Sequence, residues 1–225
     1  MTFRLIFPLS TEDISSNPCL AATETLVFGS DRECLASLGL QLAVTAAEAE
    51  AYVLVLGCGM IDSAFHVRGM PRFRQDMVDF IRPKYLGNLK AVFDYLLRFH
   101  LLPVLPAVII FSGLQEYIRE ASTDPNGDQT IASLFAMLKD FKNFSTAKTG
   151  RPCRLFVSCH DGVARTGLSL CPTYVTLPFF AFPWRCDPET HGSARFSLVH
   201  GGPRRTTLRF RREGRQLCFE GVARS

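Results

Sequence analysis

Ala107-Val-Ile-Ile-Phe111, closed by Ser112-Gly113, is an unbroken apolar run. A strand that alternates faces toward water would interrupt such a run with polar residues, so it suits a strand covered on both faces of a parallel sheet. Upstream, Leu86, Leu89, Val92, Phe93, Leu96, Leu97 and Phe99 fall at helical spacing. This predicts a helix over Tyr85–Leu102, ended by Pro103 and Pro106. Ala51–Leu56, bounded by Gly57 and Gly59, repeats the buried-strand pattern, and Phe65–Pro83 reads as a loop. Thr25–Phe28, the turn Gly29-Ser30 and the Ala- and Leu-rich stretch Arg32–Ala49 read as strand, turn and helix. Downstream, the turn-rich Thr123–Asp128 precedes a helical pattern over Thr130–Phe144 and a strand over Arg154–Ser158. Strands alternating with helices predict an α/β fold whose mainly parallel sheet is flanked by helices and joined by right-handed crossovers.

Beyond residue 167 the helical period is lost, and Pro172, Pro178 and Pro183 exclude a long helix. Ala194–His200, Thr206–Arg211 and Arg215–Phe219 read as short strands, the last two forming a C-terminal antiparallel hairpin across Arg212-Glu-Gly214. The pattern is one domain over 25–225, with 1–24 an N-terminal segment whose order is left open.

At 225 residues and 47% hydrophobic content the chain has enough apolar surface for one large core without staples. Eight dispersed cysteines and the absence of a long apolar run in Met1–Ser10 predict a reducing compartment. Cys153, Cys159, His160, Cys171, Cys186 and His191 contain no C-x2-C pair, so no zinc site is expected. The longest apolar run, His100–Leu114, falls well short of the roughly 20 residues of a membrane span, which predicts a soluble protein. Net charge is only +4, but residues 195–225 hold eight arginines against two glutamates. That basic tail is the only electrostatic footprint for nucleic acid.

At the first strand-to-helix turn, a phosphate-binding loop would read G-x-x-x-x-G-K-[ST], with backbone amides and lysine on phosphate and the hydroxyl on magnesium. Counting from Gly29 and Ser30, Cys34 stands where the second glycine belongs, Leu35 in place of the lysine and Ala36 in place of the Ser or Thr. Asp31 and Glu33 add negative charge. The strand ending at Phe111 is followed by Ser112 rather than a magnesium-coordinating aspartate. The site is a degenerate one: no cofactor is expected, and any residual ATP binding is weak.

The order Leu26-Val-Phe-Gly29, Tyr52-Val-Leu-Val-Leu56, Arg82-Pro-Lys-Tyr-Leu86 and Val108-Ile-Ile-Phe-Ser-Gly-Leu-Gln-Glu-Tyr-Ile118 resembles the SWIM-type zinc-finger-associated recombinase paralogue of the animal Shu complex. In that family the third strand is followed by Asp-Gly-Leu-Glu-Glu-Tyr-Leu, against Ser112-Gly-Leu-Gln-Glu-Tyr-Ile118 here. The terminal Thr207-Leu-Arg-Phe-Arg-Arg-Glu-Gly214 is similar too, so the resemblance spans about residues 25–220. It implies a RecA-like P-loop-type fold and a nuclear heterodimer with a SWIM-domain zinc protein. It also implies single-stranded DNA binding and support of recombinase filaments in homologous recombination. ATP hydrolysis is not carried over, because the phosphate lysine and the metal ligands are missing.

A competing enzyme reading rests on Cys159-His-Asp-Gly-Val-Ala-Arg165-Thr-Gly167, which matches the cysteine phosphatase pattern C-x5-R-[ST]-G. Cys159 would be the thiolate nucleophile, Arg165 the phosphate clamp, and Asp124 or Asp128 the general acid. Against it, Ser158 replaces the usual preceding histidine, and Pro172 and Pro178 interrupt the helix that should follow. For the tail, Arg204, Arg205, Arg209, Arg211, Arg212 and Arg215 are the candidate DNA contacts, with Phe196, Phe210 and Phe219 either stacking partners or core. The alternative is a solvated edge whose arginines discourage sheet association.

Overall fold

The computed structural model describes residues 2–15, 18–59, 65–160, 179–180, 183–190, 195–200 and 206–224. The strands are β1 (Glu24–Gly29), β2 (Val53–Gly57), β3 (His66–Val67), β4 (Ile81–Tyr85), β5 (Val108–Ser112), β6 (Arg154–His160), β7 (Pro183–Pro188), β8 (Arg195–His200), β9 (Thr206–Glu213) and β10 (Gln216–Arg224). The helices are α1 (Thr11–Ser15), α2 (Pro18–Ala21), α3 (Arg32–Glu48), α4 (Leu89–Leu96), α5 (Leu114–Ala121) and α6 (Gly127–Thr149). One ten-stranded sheet runs β3-β10-β9-β8-β7-β1-β6-β5-β2-β4. From β7 to β4 every neighbour is parallel. From β7 to β10 every neighbour is antiparallel. The fold is therefore mixed α/β, with a mostly parallel sheet flanked by helices and a C-terminal antiparallel hairpin.

Each parallel strand feeds two cores by simple alternation. Val27, Val53, Val108, Ile110 and Phe156 pack under Leu38, Leu42 and Ala46 of α3. Leu26, Leu54, Ile109, Phe111, Leu155 and Val157 turn to the other face, under Val92 of α4, Tyr117 of α5 and Phe135 of α6. The connection from β1 to β2 crosses the sheet in one direction over the α3 face. Those from β4 to β5 and β5 to β6 cross in the opposite direction over the other face, which keeps the crossovers one hand. β1 lies between β6 and β7, where the order of strands diverges. In such sheets the crevice at the strands' carboxyl ends, beside that divergence, is where ligands bind.

Several elements differ from the sequence expectations. The loop expected over Phe65–Pro83 contains β3, a 3-10 turn over Gln75–Asp79, and the start of β4. β4 is an edge strand whose pattern is hidden by Arg82, Pro83 and Lys84. The helix expected from Tyr85 begins at Leu89, because the Asn88 side chain accepts the Ala91 N–H at 2.8 Å and caps it there. It stops at Leu96, and Phe99–Leu101 forms a 3-10 turn whose Phe99 stacks on Phe141 at 4.8 Å. α5 and β7 were not anticipated, the first being two turns long and the second opening on Pro183. The hairpin turns at Gly214-Arg215, one step later than expected, with Gly214 at φ 57° as the first turn residue.

The N-terminal segment is part of the core. Phe3, Ile6, Phe7 and Leu20 are fully buried over the antiparallel wing. The Phe3 ring lies 4.6 Å from Trp184, and Phe7 lies 5.5 Å from Phe210 and 5.2 Å from Phe219. Phe196 and Phe210 are likewise core and stack on each other at 5.6 Å, which removes them as stacking partners for bases. Among the described residues no helix is long and apolar enough to cross a membrane.

Candidate functional site

The carboxyl edge of the parallel strands gathers Gly29-Ser30-Asp31 after β1, Gly57-Cys58 after β2, Ser112-Gly113 after β5 and His160 at the end of β6. The decisive local feature is the length of the first turn. β1 ends at Gly29 and α3 begins at Arg32, so only Ser30 and Asp31 join them. Cys34, Leu35 and Ala36, read as the eroded end of a phosphate loop, lie in the first turns of α3, and Cys34 and Leu35 are buried.

Asp31 occupies the helix cap. Its carboxylate accepts the Cys34 N–H at 2.8 Å, and its carbonyl accepts the Leu35 N–H at 3.1 Å. A helix N-terminus attracts an anion through its unpaired amides and its dipole. Here the protein supplies that anion itself, and Glu33 adds a second carboxylate to the same turn. Cys34 is shielded as well, its sulfur 3.7 Å from that of Cys186, and burial, reinforced by Cys186, pushes its pKa well above the ordinary thiol value. Gly29 is glycine for a packing reason. A Cβ there would lie 1.9 Å from the carbonyl oxygen of Cys186 on β7.

The other strand ends are tied together by hydrogen bonds. The Ser112 hydroxyl donates to the Leu56 carbonyl at 3.4 Å. His160 donates its backbone N–H to Gln115 Oε1 at 2.9 Å, and its Nε2 lies 3.0 Å from the Ser30 carbonyl. A carbonyl only accepts, so that nitrogen carries a proton and the ring bridges β6 to the β1 turn. Glu116 pairs with Arg119 at 2.8 Å. Asp31, Gln115 and His160 hold this edge closed. In the sequence Asp31 reads only as negative charge added to this turn, although an Asp ahead of a helical run is also a cap signal; Gln115 and His160 carry no local signal for these bonds. Among the described residues no three His, Cys, Asp or Glu side chains converge as a metal site.

The phosphatase residues do not assemble around an exposed thiol. Cys159 is fully buried in the core beneath α5 and α6, one residue before β6 ends. Asp124 and Asp128 lie at the α5–α6 junction, beside a cleft of about 270 Å3 lined by Ile118, Ala121, Pro125 and Ile131. The Asp124 carboxylate accepts the Asn126 N–H at 2.8 Å and serves the turn. Arg165 lies outside the described residues. Nucleophilic attack on a phosphoryl group needs an accessible thiolate, so this burial disfavours the enzyme reading.

The arginine tail forms a paired ladder. Arg209 faces Glu189 at 3.6 Å, Arg195 faces Glu220 at 3.5 Å, and Arg211 pairs with Glu213 and with Glu220, the latter at 3.6 Å. Arg212 reaches Glu33 of α3 at 3.4 Å and covers the Phe65 ring at 5.4 Å. Arg215 sits exposed at the hairpin tip. Arg204 and Arg205 lie outside the described residues. The local excess of charge counted along the chain is thus partly neutralised in space by Glu33 and Glu189. No protein-family model and no curated protein sequence matches this chain.

Proposed function

We propose that this chain is a non-catalytic RecA-like partner protein. It pairs in the nucleus with a SWIM-domain zinc protein, binds single-stranded DNA and supports recombinase filaments in homologous recombination. The strand order, with β1 between β6 and β7 in a parallel sheet, supports the RecA-like reading. One observation carries the non-catalytic part: the two-residue β1–α3 turn whose helix terminus is capped by Asp31. Phosphoryl transfer needs backbone amides, a cation and a metal carboxylate around the phosphate. Here the Asp31 carboxylate takes the Cys34 amide and puts a negative charge at the helix terminus, and Leu35 and Ser112 stand at the cation and metal positions. Titration calorimetry with Mg-ATP is expected to give no saturable binding into the millimolar range, and a phosphate-release assay no turnover. Turnover that disappears in Ser112→Ala would overturn this reading.

The DNA-binding part rests on Arg195, which the ladder adds, and on Arg209, Arg211, Arg212 and Arg215, the sequence-read contacts among the described residues; Arg204 and Arg205 lie outside them. Because carboxylates hold Arg195, Arg209, Arg211 and Arg212, DNA must compete for them, and binding is weak and salt-sensitive. Replacing Glu189, Glu213 and Glu220 together with glutamine removes the carboxylates paired with Arg195, Arg209 and Arg211. If each then meets a phosphate, the log–log salt slope on a single-stranded oligonucleotide steepens by about 2, at about 0.7 per contact. An unchanged slope in a folded triple variant would make this face only a solvated edge.

A further inference from the structure

The two edges of the sheet are unequal. One ends in β3, only His66–Val67. The other is β4, five residues long, with its outer side unpaired among the described residues. The Phe80 carbonyl accepts the Val53 N–H and the Leu86 N–H donates to the Gly57 carbonyl, both at 2.8 Å, so even-numbered residues direct their backbone groups to β2. Ile81, Pro83 and Tyr85 therefore direct theirs outward. Pro83 presents a carbonyl but no N–H, which blunts the edge at its centre without closing it.

The side chains sort by face. Ile81 packs beside Met77 and Val44 on the α3 face, so Pro83 and Tyr85 share that face while Arg82 and Lys84 occupy the opposite one. On the apolar side Tyr85 is 55% exposed; Phe73 and Val78, which precede the strand, are exposed as well, at 55% and 42%. On the opposite side, Arg82 and Lys84 are exposed and form no ion pair among the described residues.

We propose that β4 is the docking edge for an extended segment of another protein in which acidic and apolar residues alternate. Added beside β4, such a segment places its acidic side chains next to Arg82 and Lys84 and its apolar ones on the face of Tyr85, while its backbone bonds the Ile81 and Tyr85 groups. A second copy of this chain fits poorly. Two β4 strands side by side oppose Arg82 and Lys84 to their own copies, and like charges across a strand pair destabilise it. The proposal stands apart from the DNA-facing reading, since the arginine ladder lies at the other end of the sheet.

The test is fluorescence anisotropy of the full chain with a labelled seven-residue peptide alternating Glu and Val, compared with its Lys and Val counterpart. The Glu peptide is expected to bind at least about tenfold more tightly, a difference near 1.4 kcal/mol. Arg82→Glu with Lys84→Glu, both exposed and tolerant of change, should reverse the preference. Pro83→Val, which restores an outward N–H, should tighten the Glu peptide several-fold. Equal affinity for the two peptides, no saturable binding, or indifference to the charge reversal would overturn the proposal. So would a sedimenting dimer that Glu peptide fails to dissociate and that Pro83→Val strengthens, which would assign the edge to a second copy.

Discussion

Gly29→Ala is expected to cost about 4 kcal/mol or more, among the largest effects of a single methyl group. The added Cβ would sit 1.9 Å from the Cys186 carbonyl oxygen and 3.1 Å from the Cys186 Cβ. The obstructing atom is backbone, held in the β1–β7 ladder where Gly29 pairs with Cys186, so relief requires opening the junction between the parallel and antiparallel halves of the sheet. Ser30→Ala, on the exposed neighbour, should stay within about 0.5 kcal/mol. Urea unfolding of the two variants separates two accounts of the same glycine. A residue retained for phosphate would tolerate alanine in the absence of ligand, whereas one retained for strand approach would not. A midpoint shift in Gly29→Ala no larger than in Ser30→Ala would defeat the packing account.

Phe3→Ala combined with Phe7→Ala should leave no cooperatively folded protein. Each ring is fully buried, Phe3 against Trp184 and Phe7 between Phe210 and Phe219. Truncating a buried phenylalanine costs about 3–5 kcal/mol. Two such losses consume most or all of the roughly 5–15 kcal/mol by which a domain is stable. Circular dichroism melts should show a lowered Tm for each single variant and no transition for the double one. A double variant that melts like the parent would mean that the N-terminal segment lies on the wing without stabilising it.

The strands β1, β2, β5 and β6 and the helices α3 and α6 were legible in the chain because their signals are local. An apolar run such as Val108–Phe111 has one stable use in a parallel sheet, and Leu38 and Leu42 of α3 repeat on one helical face. β4 was missed because an edge strand need bury little: Pro83 and its charged neighbours are permitted there and nowhere further inside. β7 was missed because Pro183 opens it, at the first position where a strand can accept proline.

For the site, the residues that differ from a phosphate loop were readable one by one in Cys34, Leu35, Ala36 and Ser112. Their surroundings were not. The sequence alone determined an α/β domain with a parallel core, a terminal hairpin and no standard nucleotide motif, since these follow from periodicity and residue type within a few positions. Only the tertiary structure decided that Gly29 is shaped by Cys186, that Arg212 is held by Glu33 and that Phe7 belongs to the core of residues two hundred positions away. Such contacts depend on which strands lie side by side, and that order is set by burial of the whole sheet rather than by any segment's own pattern.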